Sequence, residues 1–370
     1  MNQRHASYWE ATLAPQTPAP VTLPIRVDVL IVGAGFMGRW LAYWLGKLRP
    51  AAKVLVLERD GFSYGASSRN AGFLTTGQVS EMLQDSRSLG LPAVAEVFLR
   101  RQQGLAMVRQ QFPALAIDPC GSTDFDPIND EKREFVTQLH ATLGQAVFAT
   151  RDANLGGVRR PAFFQPHDAG VQPVDLLQQL RQACPDTPFA FDVQVRHVAQ
   201  GLATVQVQGT SQEVRYGRAF VCTNAFATQL DPGSRVVPGR GQVIVTSPVK
   251  TATDRTLGYL NHGYDYFRFV DQRLLLGGGR NRFRAQEQTS RLEVTTEVLD
   301  HLKATAAVIL GHADFAVDYH WAGIMGFIDG AHLGGSPRRS IDETAEAVAG
   351  FGGMGVALAP VVAREIATEL

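Results

Sequence analysis

Six consecutive residues, Gly33-Ala34-Gly35-Phe36-Met37-Gly38, have the composition and spacing of a turn that binds a dinucleotide. Gly33 permits a tight turn, Gly35 lets backbone amides approach a pyrophosphate, and Gly38 allows a helix to pack closely on a strand. Unpaired N–H groups at the start of that helix favour a phosphate. Glu58 follows twenty residues after Gly38. Its carboxylate would accept hydrogen bonds from a ribose hydroxyl pair and would repel a 2′-phosphate.

The elements around this turn fit a βαβ unit. Residues 27–32 are almost all aliphatic, which predicts a strand buried on both faces, and residues 53–57 predict the next strand. A helix between them is indicated by apolar residues at helical spacing: Trp40, Leu41, Trp44, Leu45 and Leu48. Polar and turn-forming residues dominate 118–130, where we expect a loop. The turn alone does not distinguish FAD from NAD.

A second segment, residues 65–74, is rich in small and hydroxyl side chains and carries one cation, Arg69. Such a segment can wrap a large ligand with backbone contacts, and Arg69 can pair with a phosphate. The residues themselves fit a cofactor loop and an ordinary polar loop equally well.

Composition excludes several classes of protein. The chain has 370 residues with 35 basic and 35 acidic side chains, so its net charge of zero favours neither nucleic acid nor an anionic membrane as partner. Its three cysteines have no metal-ligand spacing, which predicts no metal site and suits a reducing compartment. We expect a cytoplasmic protein without a membrane span, because residues 1–24 lack a signal-peptide core and no apolar run approaches the roughly 20 residues needed to cross a bilayer.

The chain resembles the D-amino-acid oxidase superfamily of FAD-dependent oxidoreductases from residue 27 onward. The most specific match is the run from Gly65 to Gly72, which is similar to the family's flavin-wrapping segment. Further matches follow in the family's order: Asp168, Gly170 and Pro173; Thr223-Asn224-Ala225; 238–242; Tyr266-Phe267-Arg268; Trp321-Ala322-Gly323; and 350–356. The Tyr8-Trp9 pair before the glycine-rich turn resembles the γ-glutamylputrescine-oxidase-like branch.

The resemblance implies an α/β fold with a Rossmann-type FAD-binding domain and an α+β second lobe. This second lobe would be a discontinuous substrate domain built on a mixed or antiparallel sheet. We expect an extended N-terminal arm at 1–26, an FAD-binding domain at 27–90, 155–233 and 327–370, and a substrate domain at 91–154 and 234–326. The many prolines of the arm favour an extended chain, in which Tyr8 and Trp9 pack back as hydrophobic anchors.

The resemblance also implies a set of FAD-binding residues: Gly33, Gly35, Phe36, Met37, Gly38, Glu58, Arg59, Ser67, Ser68, Arg69, Asn70, Ala71, Gly72, Phe73, Leu74, Val195, Thr223, Asn224, Ala225, Gly323, Gly352, Gly353, Met354, Gly355 and Val356. Neither Cys222 nor His332 stands in a flavin-attachment context, so we predict non-covalent FAD.

The implied reaction is hydride transfer from an amine or amino acid to flavin N5, giving an imine and then a carbonyl compound. No catalytic residue is assigned, because the flavin carries the chemistry. Tyr266, Arg268 and Met325 are predicted to contact the substrate. Glycine-oxidase-like relatives place a carboxylate-binding arginine where this chain has Met325, which favours an amine or a carboxylate held elsewhere, with Arg268 as the substitute.

Two alternatives stay open: oxidation of a 2-hydroxy acid, and a flavin-binding subunit without turnover. The sequence specifies neither the oligomeric state nor whether oxygen or another molecule accepts the electrons.

Overall fold

The glycine-rich turn joins the first strand of a parallel sheet to the helix that packs on it. The structure is a computed structural model that describes residues 6–13, 22–329 and 337–370. Strand β1 (Arg26–Val32) consists mainly of buried aliphatic residues, and helix α2 (Phe36–Leu48) begins immediately after the turn. The predicted βαβ unit is completed by β2 (Val54–Leu57), which pairs in parallel with β1.

The first sheet has the strand order of a dinucleotide-binding fold. Its strands are β1, β2, β9 (Phe189–Ala190), β10 (Val193–Ala199), β11 (Leu202–Val207), β12 (Thr210–Val221), β18 (Arg338–Ser340) and β19 (Ala345–Val348). The parallel strands lie in the order β9-β2-β1-β12-β19. This order brings the carboxyl ends of β1 and β12 side by side, where open α/β sheets bind ligands.

The second sheet is mixed, as expected. Its strands are β5 (Ser122–Asp124), β6 (Ala149–Leu155), β7 (Val158–Gln165), β13 (Val236–Pro248), β14 (Leu257–Leu260), β15 (Asp265–Val270), β16 (Arg273–Gly278) and β17 (Val317–Ile328). They lie in the order β17-β13-β16-β15-β14-β5-β7-β6, and only β14 and β5 run parallel among these pairs. A small third sheet pairs β3 (Phe73–Leu74), β8 (Ala169–Val171) and β4 (Ile117–Asp118).

Helices cover the sheets and supply most of the larger core. The remaining α-helices are α1 (Tyr8–Thr12), α3 (Val79–Leu89), α4 (Leu91–Gln111), α5 (Asp130–Leu143), α6 (Pro173–Gln182), α7 (Arg284–Glu287), α8 (Thr296–Leu310) and α9 (Gly355–Glu369). Trp40 and Trp44 of α2 are buried, and the indole of Trp44 donates to the Pro360 carbonyl of α9 at 3.0 Å. Within the described residues, no helix is long and apolar enough to cross a membrane.

The N-terminal segment differs from the extended arm that the prolines suggested. Residues 8–12 form helix α1, whose start is closed by a capping box between Ser7 and Glu10. Tyr8 and Trp9 are both buried, as expected for hydrophobic anchors. Residues 1–5 and 14–21, which include most of the arm's prolines, lie outside the described residues.

The predicted boundary at residue 155 also differs from the sheet arrangement. Strand β7, at 158–165, forms a hairpin with β6 and therefore belongs to the second sheet, whereas 155–233 was assigned to the FAD-binding domain. The physical reason is the short turn between β6 and β7, which keeps consecutive antiparallel strands together.

Candidate functional site

A cleft runs along the carboxyl ends of β1, β2 and β12. It encloses about 870 Å³ of space free of protein atoms, part of it open to solvent. Nine of the predicted FAD-binding residues line it: Gly33, Gly35, Glu58, Arg59, Ser67, Val195, Thr223, Asn224 and Ala225. Residues from three separate stretches of sequence are therefore brought together around one elongated space.

The glycine-rich turn has the geometry that its sequence requires. Gly33 has a φ of +103°, a left-handed conformation that favours glycine. A Cβ on Gly35 would lie 2.9 Å from the Ser67 hydroxyl, and one on Gly38 would collide with the Gly33 carbonyl. Gly35 therefore keeps the backbone open toward the cleft, while Gly38 lets α2 approach β1.

Polar groups around the turn fit a dinucleotide. The Ser67 hydroxyl accepts from the Phe36 N–H at 2.9 Å, and a Glu58 carboxylate oxygen accepts from the Ala34 N–H at 2.8 Å. Thr223 Oγ1 is buried at the cleft wall and has no hydrogen-bond partner within the described residues. A buried hydroxyl without a partner is costly unless a ligand satisfies it. The residues present therefore fit an FAD-sized nucleotide.

Glu58 lies at the end of β2, where its side chain faces the cleft. Burial raises the pKa of its carboxyl group, whereas the N–H groups of Ala34 and Asp60 act in the opposite direction. The two oxygens of this carboxyl group are the acceptors that a ribose diol requires. Next to it, the Arg59 guanidinium lies 5.0 Å from the centre of the Phe226 ring and is partly exposed.

The segment 65–74 is held by the N-terminal helix. The Trp9 indole donates to the Asn70 carbonyl at 2.7 Å, and the Ser7 hydroxyl donates to the Ser68 carbonyl at 3.0 Å. The Asn70 side chain also closes its own turn, because it donates to the Ser67 carbonyl and accepts from the Gly72 N–H.

Arg69 does not take the phosphate-facing position that was expected. Its Nε donates to the Ala322 carbonyl at 2.5 Å, and its Nη1 lies 3.3 Å from the Glu10 carboxylate. Both side chains of this ion pair are at least 95% buried. The physical reason is the N-terminal helix, which brings a carboxylate to Arg69 from a segment remote in sequence.

The C-terminal glycine turn packs against the end of β17. The Gly352 N–H donates to the Gly326 carbonyl at 2.8 Å, and the Gly350 N–H donates to the Asn224 side chain at 3.0 Å. Helix α9 begins at Gly355. The predicted residues Gly353, Met354 and Val356 lie in this turn and the first helical turn, beside the cleft but not in its wall.

Tyr266 and Met325 meet over an open face of the second sheet. A Cβ on Gly241 would lie 3.0 Å from Met325 Cε and 3.6 Å from the Tyr266 hydroxyl. Both side chains are partly exposed, and the Tyr266 ring also contacts Phe73 edge to face, with 5.9 Å between centroids. Burial raises the pKa of Tyr266 to about 12, so its phenol is a neutral hydrogen-bond donor. The structure thus brings these two predicted substrate residues together.

The Arg268 side chain binds backbone carbonyl groups instead of facing a substrate. Its Nη1 donates to the carbonyl groups of Gly72 at 2.8 Å and Val171 at 3.1 Å, and its Nη2 lies 3.7 Å from Asp118. Only 5% of the residue is exposed, and it borders a separate cavity beside Cys120. The prediction that Arg268 replaces the missing carboxylate clamp is therefore not supported by its contacts.

Sequence reasoning missed Arg280 and Phe327. Arg280 follows the glycine run that ends β16, and its guanidinium carbon lies 4.0 Å from the centre of the Phe327 ring. The alternation of β17 was the available signal, since Phe327 must share a face with Met325. Among the described residues, no group of histidine, cysteine and acidic side chains could hold a metal ion. His332 lies outside the described residues.

Known proteins resemble this chain in sequence. The chain is 25% identical to γ-glutamylputrescine oxidoreductase of Escherichia coli (strain K12), over 87% of this chain and 79% of that protein. A shorter stretch, 29% of this chain, is 32% identical to FAD-dependent oxidoreductase domain-containing protein 1 of Xenopus laevis and spans only 22% of that relative.

The fold is similar to that of glycine oxidase from Geobacillus kaustophilus. The TM-score is 0.72 at 18% identity, and the match covers 93% of this chain and 94% of the other. The DAO family profile, described as FAD dependent oxidoreductase, matches residues 28–369, which include both sheets and the cleft. The chain therefore belongs to the DAO family of FAD-dependent oxidoreductases.

Proposed function

We propose that the protein oxidises the carbon–nitrogen bond of an amine or amino acid to an imine, which water hydrolyses to a carbonyl compound and ammonia or an amine. The observation that carries this proposal is the open, largely apolar face formed by Tyr266, Met325 and Phe327 beside Gly352. A Cβ on Gly352 would lie 3.6 Å from Phe327, so the C-terminal turn borders this face. Glycine oxidase and γ-glutamylputrescine oxidoreductase, two of the similar proteins, carry names of enzymes that act on such compounds.

The nucleotide would lie in the cleft, held by the glycine-rich turn, Glu58 and Thr223. When bound, FAD supplies an acceptor for two electrons and a hydride. The segment 65–74 and the turn 350–355 border the same interface between the sheets. Because Tyr266 contacts Phe73 of that segment, the substrate face and the cofactor segment are held in a fixed relation.

The side chains of the open face would bind the substrate, orient it and exclude water from it. With substrate bound, the apolar side chains of Met325 and Phe327 would displace water from it, which favours a neutral amine and lowers the need for a strong base. The Tyr266 hydroxyl can donate a hydrogen bond to a substrate oxygen, since its raised pKa keeps it protonated. No histidine is required to remove a proton from carbon when the hydride leaves from a neutral amine.

The experiment is anaerobic reduction of the purified flavoprotein. A panel pairs each amine or amino acid with the hydroxy compound of the same skeleton, and the loss of visible flavin absorbance is followed. We expect reduction by an amine and not by its hydroxy counterpart. Reduction by hydroxy acids alone would favour 2-hydroxy-acid oxidation. Tight FAD binding without reduction by any compound would favour a subunit without turnover.

A further inference from the structure

One cation at the open face, Arg280, has no polar partner among the described residues. Arg280 is partly exposed and has neither a hydrogen bond nor an ion pair within the ranges that the structure describes. Its guanidinium instead stacks on Phe327, 4.0 Å from the ring centre. Stacking fixes the plane of the guanidinium and leaves its N–H groups available to an anion.

The fully buried arginines of the described chain, by contrast, all have polar partners. Arg240 contacts the Glu287 carboxylate at 2.6 Å, and Arg69 contacts Glu10. Arg39 donates to the carbonyl groups of Ala34 and Leu177. The Arg280 guanidinium is partly buried, and this burial lowers its pKa. A partly desolvated charge is costly unless a ligand pairs with it.

The strand register places Arg280 on the same face as Tyr266. Its Nη1 lies 3.6 Å from the Cβ position of Gly239, while the Tyr266 hydroxyl lies 3.6 Å from that of Gly241. These two glycines are neighbours on one face of β13, because side chains two residues apart point the same way, about 7 Å from each other. A small molecule can therefore reach both groups at once.

We propose that Arg280 binds the anionic group, a carboxylate, of the substrate and so makes the enzyme selective for amines that carry an acid. This inference rests on the proposed amine oxidation. Arg280 would act in place of the arginine that glycine-oxidase-like relatives have at the position of Met325. Phe327 packs over Gly239 and Met325 packs over Gly241, and both side chains are partly exposed, so a substrate would lie on these two side chains between Arg280 and Tyr266. A planar guanidinium can donate two parallel hydrogen bonds to a carboxylate.

The test compares ligand binding to holoenzyme variants. Arg280→Met removes the charge and keeps an apolar side chain of similar length. Arg280→Lys keeps the charge but lacks the paired N–H donors of the guanidinium. Arg282→Met is the matched control, because Arg282 is exposed and only two residues away. The probes are benzoate and benzamide, together with a set of amino acids and their amides. Binding is measured from the change in the visible flavin spectrum.

We expect Arg280→Met to weaken carboxylate binding by about 10- to 100-fold, with amides changed by less than about threefold. Arg280→Lys should fall between wild type and Arg280→Met, and Arg282→Met should match wild type. The proposal is overturned if wild type binds no carboxylate more tightly than its amide, or if Arg280→Met weakens both equally. If the protein binds carboxylates through Arg280 but does not oxidise amines, the wild type would still bind carboxylates more tightly than amides, and no amine would reduce the flavin.

Discussion

The carboxylate of Glu10 and the guanidinium of Arg69 form an ion pair of 3.3 Å, with both side chains at least 95% buried. The same carboxylate accepts from the Ser68 hydroxyl and from the Ser7 N–H. One acidic residue thus joins the N-terminal helix to the segment predicted to wrap the flavin. This network fixes segment 65–74 to the N-terminal helix beside the cleft, although the two are far apart in sequence.

Replacement of Glu10 by glutamine should leave the buried Arg69 charge without its counter-ion. We expect the free energy of unfolding to fall by about 3–5 kcal/mol. FAD should also be released at a lower denaturant concentration, since segment 65–74 loses its clamp. Chemical unfolding and flavin fluorescence measure the two effects. Glu131→Gln is the control, because its pair with Arg87 is exposed and should contribute less than about 1 kcal/mol.

Replacement of Gly35 by valine should abolish FAD binding while the fold persists. A Cβ at this position would lie 2.9 Å from Ser67 Oγ, and both residues line the cleft. We expect at least a tenfold loss of bound flavin after purification, measured from visible absorbance per protein. Gly46→Ala, in the helix α2 that follows Gly35, is the control, because a Cβ there meets nothing within 4 Å. That variant should keep its flavin and be as stable as wild type or slightly more stable.

The sequence predicted the local parts of this site well. The glycine spacing, the aliphatic strand and the acidic residue after the second strand all lie within about thirty consecutive residues. The βαβ unit could therefore be predicted from local sequence. The capping box of α1 is also a local signal, formed by Ser7 and Glu10, although the prolines nearby favour an extended chain. A serine followed three residues later by a glutamate is a sequence signal for the start of a helix.

Contacts between residues far apart in sequence could not be predicted. The main acceptors of Arg268, at Gly72 and Val171, are 196 and 97 residues away in sequence. Residues 118–130 were expected to form a loop because they are polar, yet they contain β5. Their polarity is satisfied inside the protein, where Ser122 donates to the buried Asp168 at 2.7 Å. Polar composition alone does not reveal such internal partners.

Arg268→Met should affect stability and leave carboxylate selectivity intact. The Val171 carbonyl would lose a charged donor and the Gly72 carbonyl would keep only the Val171 N–H, so we expect a loss of about 1–3 kcal/mol. We expect a lower melting temperature and an unchanged ratio of benzoate to benzamide affinity. The opposite pattern, normal stability with lost selectivity, would assign Arg268 the role proposed for Arg280.

Asp85 should make stability depend on pH. Burial, reinforced by the Glu81 carboxylate, raises the pKa of Asp85 to about 7 from its ordinary 3.8. The folded protein therefore binds more protons than the unfolded chain between these values, so the free energy of unfolding falls as pH rises through this range. Asp85→Asn should remove that decrease and be more stable than wild type at pH 8. Asp300→Asn, at an exposed site, should keep the wild-type pH profile.

The most direct test of the account is the product balance of a single anaerobic turnover. Purified holoenzyme is mixed with the acyclic amine or amino acid that reduces it fastest, and flavin reduction, carbonyl product and released nitrogen are measured together. Oxidation at the carbon–nitrogen bond predicts one carbonyl group and one ammonia or amine for each flavin reduced. Flavin reduction with the nitrogen still attached to an oxidised product, or the absence of reduction by every amine tested, would contradict it.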